Sequence, residues 1–170
     1  MSQYYLIHQA ENCVACLACE VQCKTHHGLS TGPNLCRIER LQPEIGNDPL
    51  GQGFVFMPCY HCDEAACLDV CPTGAIRRRK KDGIVHIEPA LCIGCKSCIT
   101  ACAWGACQWN PETNKAVKCD YCMGRLDAGL KPSCVTVCLT GCLDFVTADQ
   151  LPEELGKHID QAAGHPEVIQ

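Results

Sequence analysis

Cysteine spacing constrains this chain more than any other feature. Nineteen of its 170 residues are cysteine, and four ordered sets hold all but three of them. The sets are Cys13, Cys16, Cys19 and Cys23; Cys59, Cys62, Cys67 and Cys71; Cys92, Cys95, Cys98 and Cys102; and Cys119, Cys122, Cys134 and Cys138. Every set ends in Cys-x-x-x-Cys: "CEVQC", "CLDVC", "CITAC" and "CVTVC". Residues four apart share a helix face, so each pair is expected to open a short helix. Recurrence of this kind predicts a molecule built from an internal repeat.

Thiols in such numbers serve either disulfides or metal. Aromatic residues make up only 5% of the chain, so its core needs a supplement. A disulfide scaffold belongs to exported chains. The start, "MSQYYLIHQAENC", reads as having no basic, apolar or twin-arginine export signal, and the cysteine count is odd. Reduced thiolates holding metal in a reducing compartment are therefore expected. No apolar run approaches the roughly 20 residues of a membrane span. A net charge of −5 leaves no footprint for nucleic acid. Phosphate loops, dinucleotide fingerprints and nucleophile elbows are absent from the sequence.

The first and third sets read C-x2-C-x2-C-x3-C. Three thiolates on one tight loop can reach three irons of a cubane. They suit a single tetrahedral zinc poorly, because zinc draws its ligand pairs from distant segments. In the bacterial ferredoxin pattern the fourth cysteine ligates the other cluster of a two-cluster module. The sets are thus expected to work in pairs, giving four [4Fe–4S] clusters from sixteen ligands.

With "CYHCDEAACLDVCPTGAI" and "CIGCKSCITAC" the chain resembles the four-cluster ferredoxin-type electron-transfer subunits of molybdenum or tungsten pterin oxidoreductases. That family includes the small subunits of dimethyl sulfoxide reductase, polysulfide reductase and formate dehydrogenases. The resemblance covers roughly residues 3–147, and the third set keeps Cys95 where some relatives carry Trp. It implies that the first set pairs with the fourth and the second with the third. One cluster would be held by Cys13, Cys16, Cys19 and Cys138, and its neighbour by Cys23, Cys119, Cys122 and Cys134. A third would use Cys59, Cys62, Cys67 and Cys102, and the last Cys71, Cys92, Cys95 and Cys98. The implied fold is α+β, with two ferredoxin-like lobes related by internal duplication and small hairpins and short helices around the clusters. Residues 1–53 and 104–147 would form the outer lobe, residues 54–103 the inner lobe, and residues 148–170 a C-terminal helix and tail. The family often places proline after the last cysteine of a set. Only Cys71-Pro72 keeps it, with Lys24, Ala103 and Leu139 elsewhere.

Between the sets, "QYYLIH", "LCRIERL" and "FVFM" read as strands. "AIRRRKKDGIVHIEP" reads as a hairpin turning at Asp82-Gly83, and "CQWNPETNKAVK" as another turning over residues 110–114. "LDFVTADQLPEEL" reads as a strand leading to a helix capped near Thr147 or Asp149. "AAGHPEVIQ" reads as a loose tail, and residues 28–53 as an extended connection. Cys36, Cys107 and Cys142 fall outside the sets and are expected to be small buried hydrophobes. The run Arg77–Lys81 is expected to be a solvated hairpin, Trp104 and Trp109 to be core packing beside a cluster, and His26-His27 to lie in a loop.

The expected function is that of a wire, with bond chemistry left to a large pterin-metal catalytic subunit. A further redox partner would be a flavin subunit, a ferredoxin or a membrane quinone subunit. No catalytic residue is expected on the chain itself. Head-to-tail self-association would extend the row of clusters. A cytoplasmic site in anaerobic metabolism is the default, with periplasmic co-export on a partner as the alternative. The competing function is an accessory, maturation or redox-sensing iron–sulfur protein, and a zinc-structural module comes third. Metal analysis separates the zinc reading from the others: about sixteen irons and sixteen acid-labile sulfides per anaerobically prepared chain are expected, and zinc in place of iron contradicts them.

Overall fold

The computed structural model describes residues 3–40 and 53–162. Among these, no strand pairs with more than one partner. Strand β1 (Tyr4–His8) runs antiparallel to β8 (Leu143–Thr147), with Leu6 opposite Phe145. β2 (Arg37–Arg40) pairs with β3 (Phe54–Met57), β4 (Ile76–Arg78) with β5 (Val85–Ile87), and β6 (Gln108–Asn110) with β7 (Lys115–Val117). Sheets this small have too little buried surface to stand alone. They fold because each lies against a cysteine-bearing helix or loop.

The hairpins form where turn chemistry demanded them. Gly83 takes φ +74° between β4 and β5, and Asn114 takes φ +53° between β6 and β7, a conformation Asn tolerates better than most. The last hairpin-like pair joins the two ends of the described chain. Gln3 N–H donates to the Asp82 carbonyl at 2.9 Å, and Ala148 N–H donates to the Gln3 carbonyl at 2.9 Å. Thus β1 is tied both to β8 and to the turn of the β4–β5 hairpin.

Helices open one residue ahead of the third cysteine of each set: α1 (Ala18–His27), α2 (Ala66–Asp69), α3 (Ser97–Ala101) and α5 (Ser133–Thr136). In α1 both cysteines of the terminal pair lie on the helix. In the other three the last cysteine falls just beyond the helical end, so Cys71, Cys102 and Cys138 leave on non-helical backbone. The first helix outruns expectation, because Gly28 at φ +59° caps it only after His26 and His27. Those two histidines are therefore helical, not loop residues. A further short helix, α4 (Met123–Asp127), fills the insertion in the fourth set. α6 (Leu151–Ala162) follows β8, where Gln150 Oε1 accepts from the Thr147 N–H at 3.1 Å. The expected tail "AAGHPEVIQ", after its first residue, and the middle of the 28–53 connection lie outside the described residues.

Two clusters of buried side chains make the core. One gathers Leu35, Phe56, Ile84, Tyr121, Leu143 and Phe145 with Cys19, Cys23, Cys59, Cys119 and Cys134. The other gathers Ala65, Ile76, Val85 and Ala116 with Cys98 and Cys107. Aromatic rings link the first cluster end to end: Tyr4 to Phe145 at 5.0 Å, Phe145 to Tyr121 at 5.2 Å, and Tyr121 to His61 at 3.9 Å. In both clusters the thiols themselves form much of the interior.

Gly94, in the third set, lies where the chain crosses the β6–β7 turn. An added Cβ would sit 2.6 Å from the Asn114 carbonyl oxygen and 3.2 Å from the Trp109 ring, at φ +73°. Gly94→Ala is expected to lose about 2–3 kcal/mol of stability, read as an earlier denaturant midpoint for loss of visible absorption.

Candidate metal centres

One backbone conformation recurs in the four cysteine loops. The residue before the second cysteine has positive φ in every set: Ala15 at 50°, His61 at 47°, Gly94 at 73° and Tyr121 at 55°. In the first and third sets the residue after it does too, Leu17 at 61° and Lys96 at 65°. Non-glycine residues adopt this conformation at a cost, so the surroundings must hold them there. Alternation of this kind turns successive N–H groups inward and makes a concavity suited to an anion. Amide hydrogens already meet sulfur: His61 N to Cys59 Sγ and Tyr121 N to Cys119 Sγ at 3.4 Å, and Ala106 N to Cys102 Sγ at 3.3 Å.

Three cavities collect thiols from separate sets. The first, about 330 Å³, is lined by Cys13, Cys16, Cys19 and Cys138, with His8 and Cys142 beside them. The second, about 600 Å³, is lined by Cys59, Cys62, Cys67 and Cys102, with His61, Cys107 and Lys118. The third, about 330 Å³, is lined by Cys71, Cys92, Cys95 and Cys98. Cys23, Cys119, Cys122 and Cys134 form a fourth group, all buried. Burial, then Cys59, Cys134 and Cys23, raise the pKa of Cys119, and burial, then Cys122, Cys23 and Cys19, raise that of Cys134.

The donor set fits iron–sulfur clusters. Soft thiolates in fours, met by amide N–H groups, are what a cubane requires. Burial pushes the Cys119 and Cys134 thiols up, and that of Cys19 to about 12. Thiolates so buried need a cation, and a bound metal deprotonates its thiol ligand outright. Polar atoms left over also fit: His8 Nε2 and His61 Nε2 are buried without a partner in the protein.

Several neighbours of these thiols escape sequence reasoning. Cys36, Cys107 and Cys142 are buried as expected, but each touches a cysteine of a set. The Cys107 thiol, 1% exposed, bonds to both Cys67 and Cys98, drawing their pKa values down to about 6 and about 7. Cys36 does the same to Cys23 and also reaches the Cys19 carbonyl at 3.7 Å. Cys142 Sγ lies 3.4 Å from Cys138 Sγ. Lys118, only 6% exposed, donates to the carbonyls of Val85 and Cys119 and lines the second cavity. Its charge helps lower the pKa of Cys67 and opposes protonation of His61. His27 Nε2 sits 3.7 Å from Cys122 Sγ and from the Asp120 carboxylate.

The basic run is not a free patch. Arg78 donates to the carbonyls of Cys62 at 2.6 Å and Asp63 at 2.8 Å, bracing the second cysteine loop. Arg79 pairs with Asp82 and Asp127, Lys81 pairs with Asp127, and Arg77 donates to the Gly74 carbonyl at 3.0 Å. Trp109 packs on Gly94 and under the Lys96 ammonium, 4.2 Å from its ring centre. Trp104 corrects the expectation of core packing. It is half exposed at the rim of the second cavity, edge-on to Tyr60 at 5.0 Å. Its backbone carbonyl accepts from Arg37 at 3.1 Å.

A small mixed α/β protein whose short helices and hairpins enclose groups of thiols is an iron–sulfur protein. The chain belongs to the family described as the 4Fe-4S dicluster domain, which matches residues 52–148. It is similar to the thiosulfate reductase electron transfer subunit PhsB of Salmonella typhi, 38% identical over 88% of this chain and 78% of that one. Protein NrfC of Escherichia coli is 36% identical over 94% of this chain and 72% of its own. One subunit of the anaerobic dimethyl sulfoxide reductase of Escherichia coli is 35% identical, over 97% of this chain and 82% of its own. No described helix is long and apolar enough to cross a membrane.

Lys118→Met keeps the volume but leaves the carbonyls of Val85 and Cys119 without their buried donor. A loss of about 3 kcal/mol is expected in denaturant titration, since an orphaned buried acceptor costs about 1–3 kcal/mol.

Proposed function

We propose that this chain is an iron–sulfur electron-transfer subunit carrying four [4Fe–4S] clusters. It relays electrons between a molybdenum or tungsten pterin catalytic subunit and a second redox partner. What supports this reading is that three cavities are each lined by four cysteines of the sets, while the four that remain, Cys23, Cys119, Cys122 and Cys134, are all buried. The similarity to subunits of thiosulfate and dimethyl sulfoxide reductases supports the kind of complex. When bound, such clusters supply one-electron carriers whose potentials follow hydrogen bonding, charge and exposure.

The protein's own residues order these centres. Cys19 and Cys23 lie one turn apart on α1 and belong to different groups. Cys67 with Cys71, and Cys98 with Cys102, likewise serve the two inner groups. The link between the halves is the His61–Tyr121 ring contact, beside Cys59 and Cys119. Four centres in a row follow from these three links. The outer and inner sets then make the two lobes, with the paired ends of the chain closing the outer one.

Both ends of that row are suited to partners. Val14, Leu17 and Leu139 are exposed around the first group, and Leu91 and Ile93 around the last. Cys16 and Cys95 are exposed at the same two places. Apolar rims beside an accessible ligand bring a partner's redox centre close and keep water out. One end would meet the catalytic subunit, and the other a flavin subunit, a ferredoxin, a membrane quinone subunit or a second copy. The cytoplasm is the compartment this reading favours, because sixteen thiolates must be loaded reduced.

The test is reductive titration of the anaerobic protein with dithionite, followed by electron paramagnetic resonance. Four reducible clusters are expected in the parent protein. Cys119→Ser should retain about twelve of about sixteen irons and lose one signal. Clusters that stay oxidised at every potential contradict the relay and favour a structural or sensing role.

A further inference from the structure

We propose that His8 and His61 are hydrogen-bond donors to cluster sulfur, each raising the reduction potential of one cluster. The inference rests on the cluster reading above and assigns roles to two residues outside the cysteine sets.

The two imidazoles are held in the same way. The Phe56 N–H donates to His8 Nδ1 at 3.3 Å, and the Val85 N–H donates to His61 Nδ1 at 3.0 Å. A nitrogen that accepts from a backbone amide carries no hydrogen. In both rings the single N–H is therefore at Nε2. Each Nε2 is buried and has no partner in the protein. A buried donor left unpaired costs about 1–3 kcal/mol, which makes two such donors in one small protein a feature to explain.

Both rings line thiol cavities. His8 forms part of the wall of the first, where one of its ring nitrogens, Cys13 Sγ and Cys142 Sγ all lie within 4.8 Å of one another. With Nδ1 engaged by Phe56, Nε2–H is the group free to meet sulfur. His61 lines the second cavity and is 1% exposed. It is pinned there by Val85 and by the Tyr121 ring at 3.9 Å. An N–H aimed at a cluster sulfur stabilises the more negative, reduced form, so it raises the potential. The amides of Phe56 and Val85 thus act through the imidazoles as orienting groups, as partners of metal-bound histidines do.

The experiment uses the full chain, prepared anaerobically with all its clusters and with 15N-labelled histidine. Pulsed electron paramagnetic resonance of the partly reduced protein should show weak histidine nitrogen coupling at two clusters. His8→Leu should abolish one coupling and lower the potential of that cluster alone. At the potential where the parent cluster is half reduced, its reduced-to-oxidised ratio should fall about tenfold, or about 59 mV for one electron. His8→Gln, which keeps an N–H at that reach, should recover most of the shift. His61→Leu should act on a different cluster.

Unchanged potentials in variants that retain about sixteen irons would overturn the proposal and leave the cluster assignment standing. Absence of histidine coupling in the labelled parent protein would do the same, whether or not a variant folds. A strong coupling typical of iron-bound nitrogen would make His8 a ligand and also overturn it. A parent protein with far fewer than sixteen irons would instead remove the reading on which the inference rests.

Discussion

Thiolate sulfur buried away from water is stable only beside positive charge, and this protein's interior is made largely of thiol. Burial, helped by neighbouring cysteines, pushes the Cys119 and Cys134 thiols up, as expected for an anion leaving water. Iron reverses that preference by binding the thiolate directly. The free energy of assembling clusters is therefore part of the free energy of folding. Paired strands of three to five residues, and helices of which four among those described have only four or five, could not otherwise hold a chain of this size. The hydrophobic side chains that remain, Phe56, Ile84, Tyr121 and Phe145 among them, fill the gaps between groups of sulfur.

Around each group the protein supplies softer compensation. Left-handed residues in the loops turn amide hydrogens toward sulfur, and Lys118 brings a cation into the interior. The three cysteines outside the sets add S–H groups beside Cys23, Cys67, Cys98 and Cys138. Cys107 is the most telling of these, because it touches thiols of two different groups. A small apolar residue there would fill the same space without the donor. These contacts give each group a distinct electrostatic setting, although the cysteine ligands are chemically identical.

Local chemistry was legible in the sequence. Spacing announced the loops, Asp82-Gly83 and Asn114 announced two hairpins, and Cys36, Cys107 and Cys142 read as small buried positions, which they are. The alternating "YYLIH" and "LDFVT" read as strands, but nothing in either said that they pair with each other from opposite ends of the chain. The same limit hid the roles of His8 and Lys118, whose partners lie 48 and 33 residues away. The basic run reads as a solvated hairpin and is one, with Arg77, Lys80 and Lys81 exposed, but nothing in it announces that Arg78 donates to the carbonyls of Cys62 and Asp63. His26-His27 failed as a loop because Gly28, and not the histidine pair, carries the stop signal for α1.

The pairing of β1 with β8 has a consequence for how the molecule is made. Cys13, Cys16 and Cys19 leave the ribosome early, while Cys138 follows more than a hundred residues later. The cavities lined by Cys59, Cys62, Cys67 and Cys102 and by Cys71, Cys92, Cys95 and Cys98 take these cysteines from the middle of the chain, while Cys107, Ala116 and Lys118 complete their walls. The first cavity, which needs Cys138, therefore cannot close until nearly all of the paired chain has been made. Until β8 docks on β1, Cys13, Cys16 and Cys19 lack the wall that Cys138 supplies.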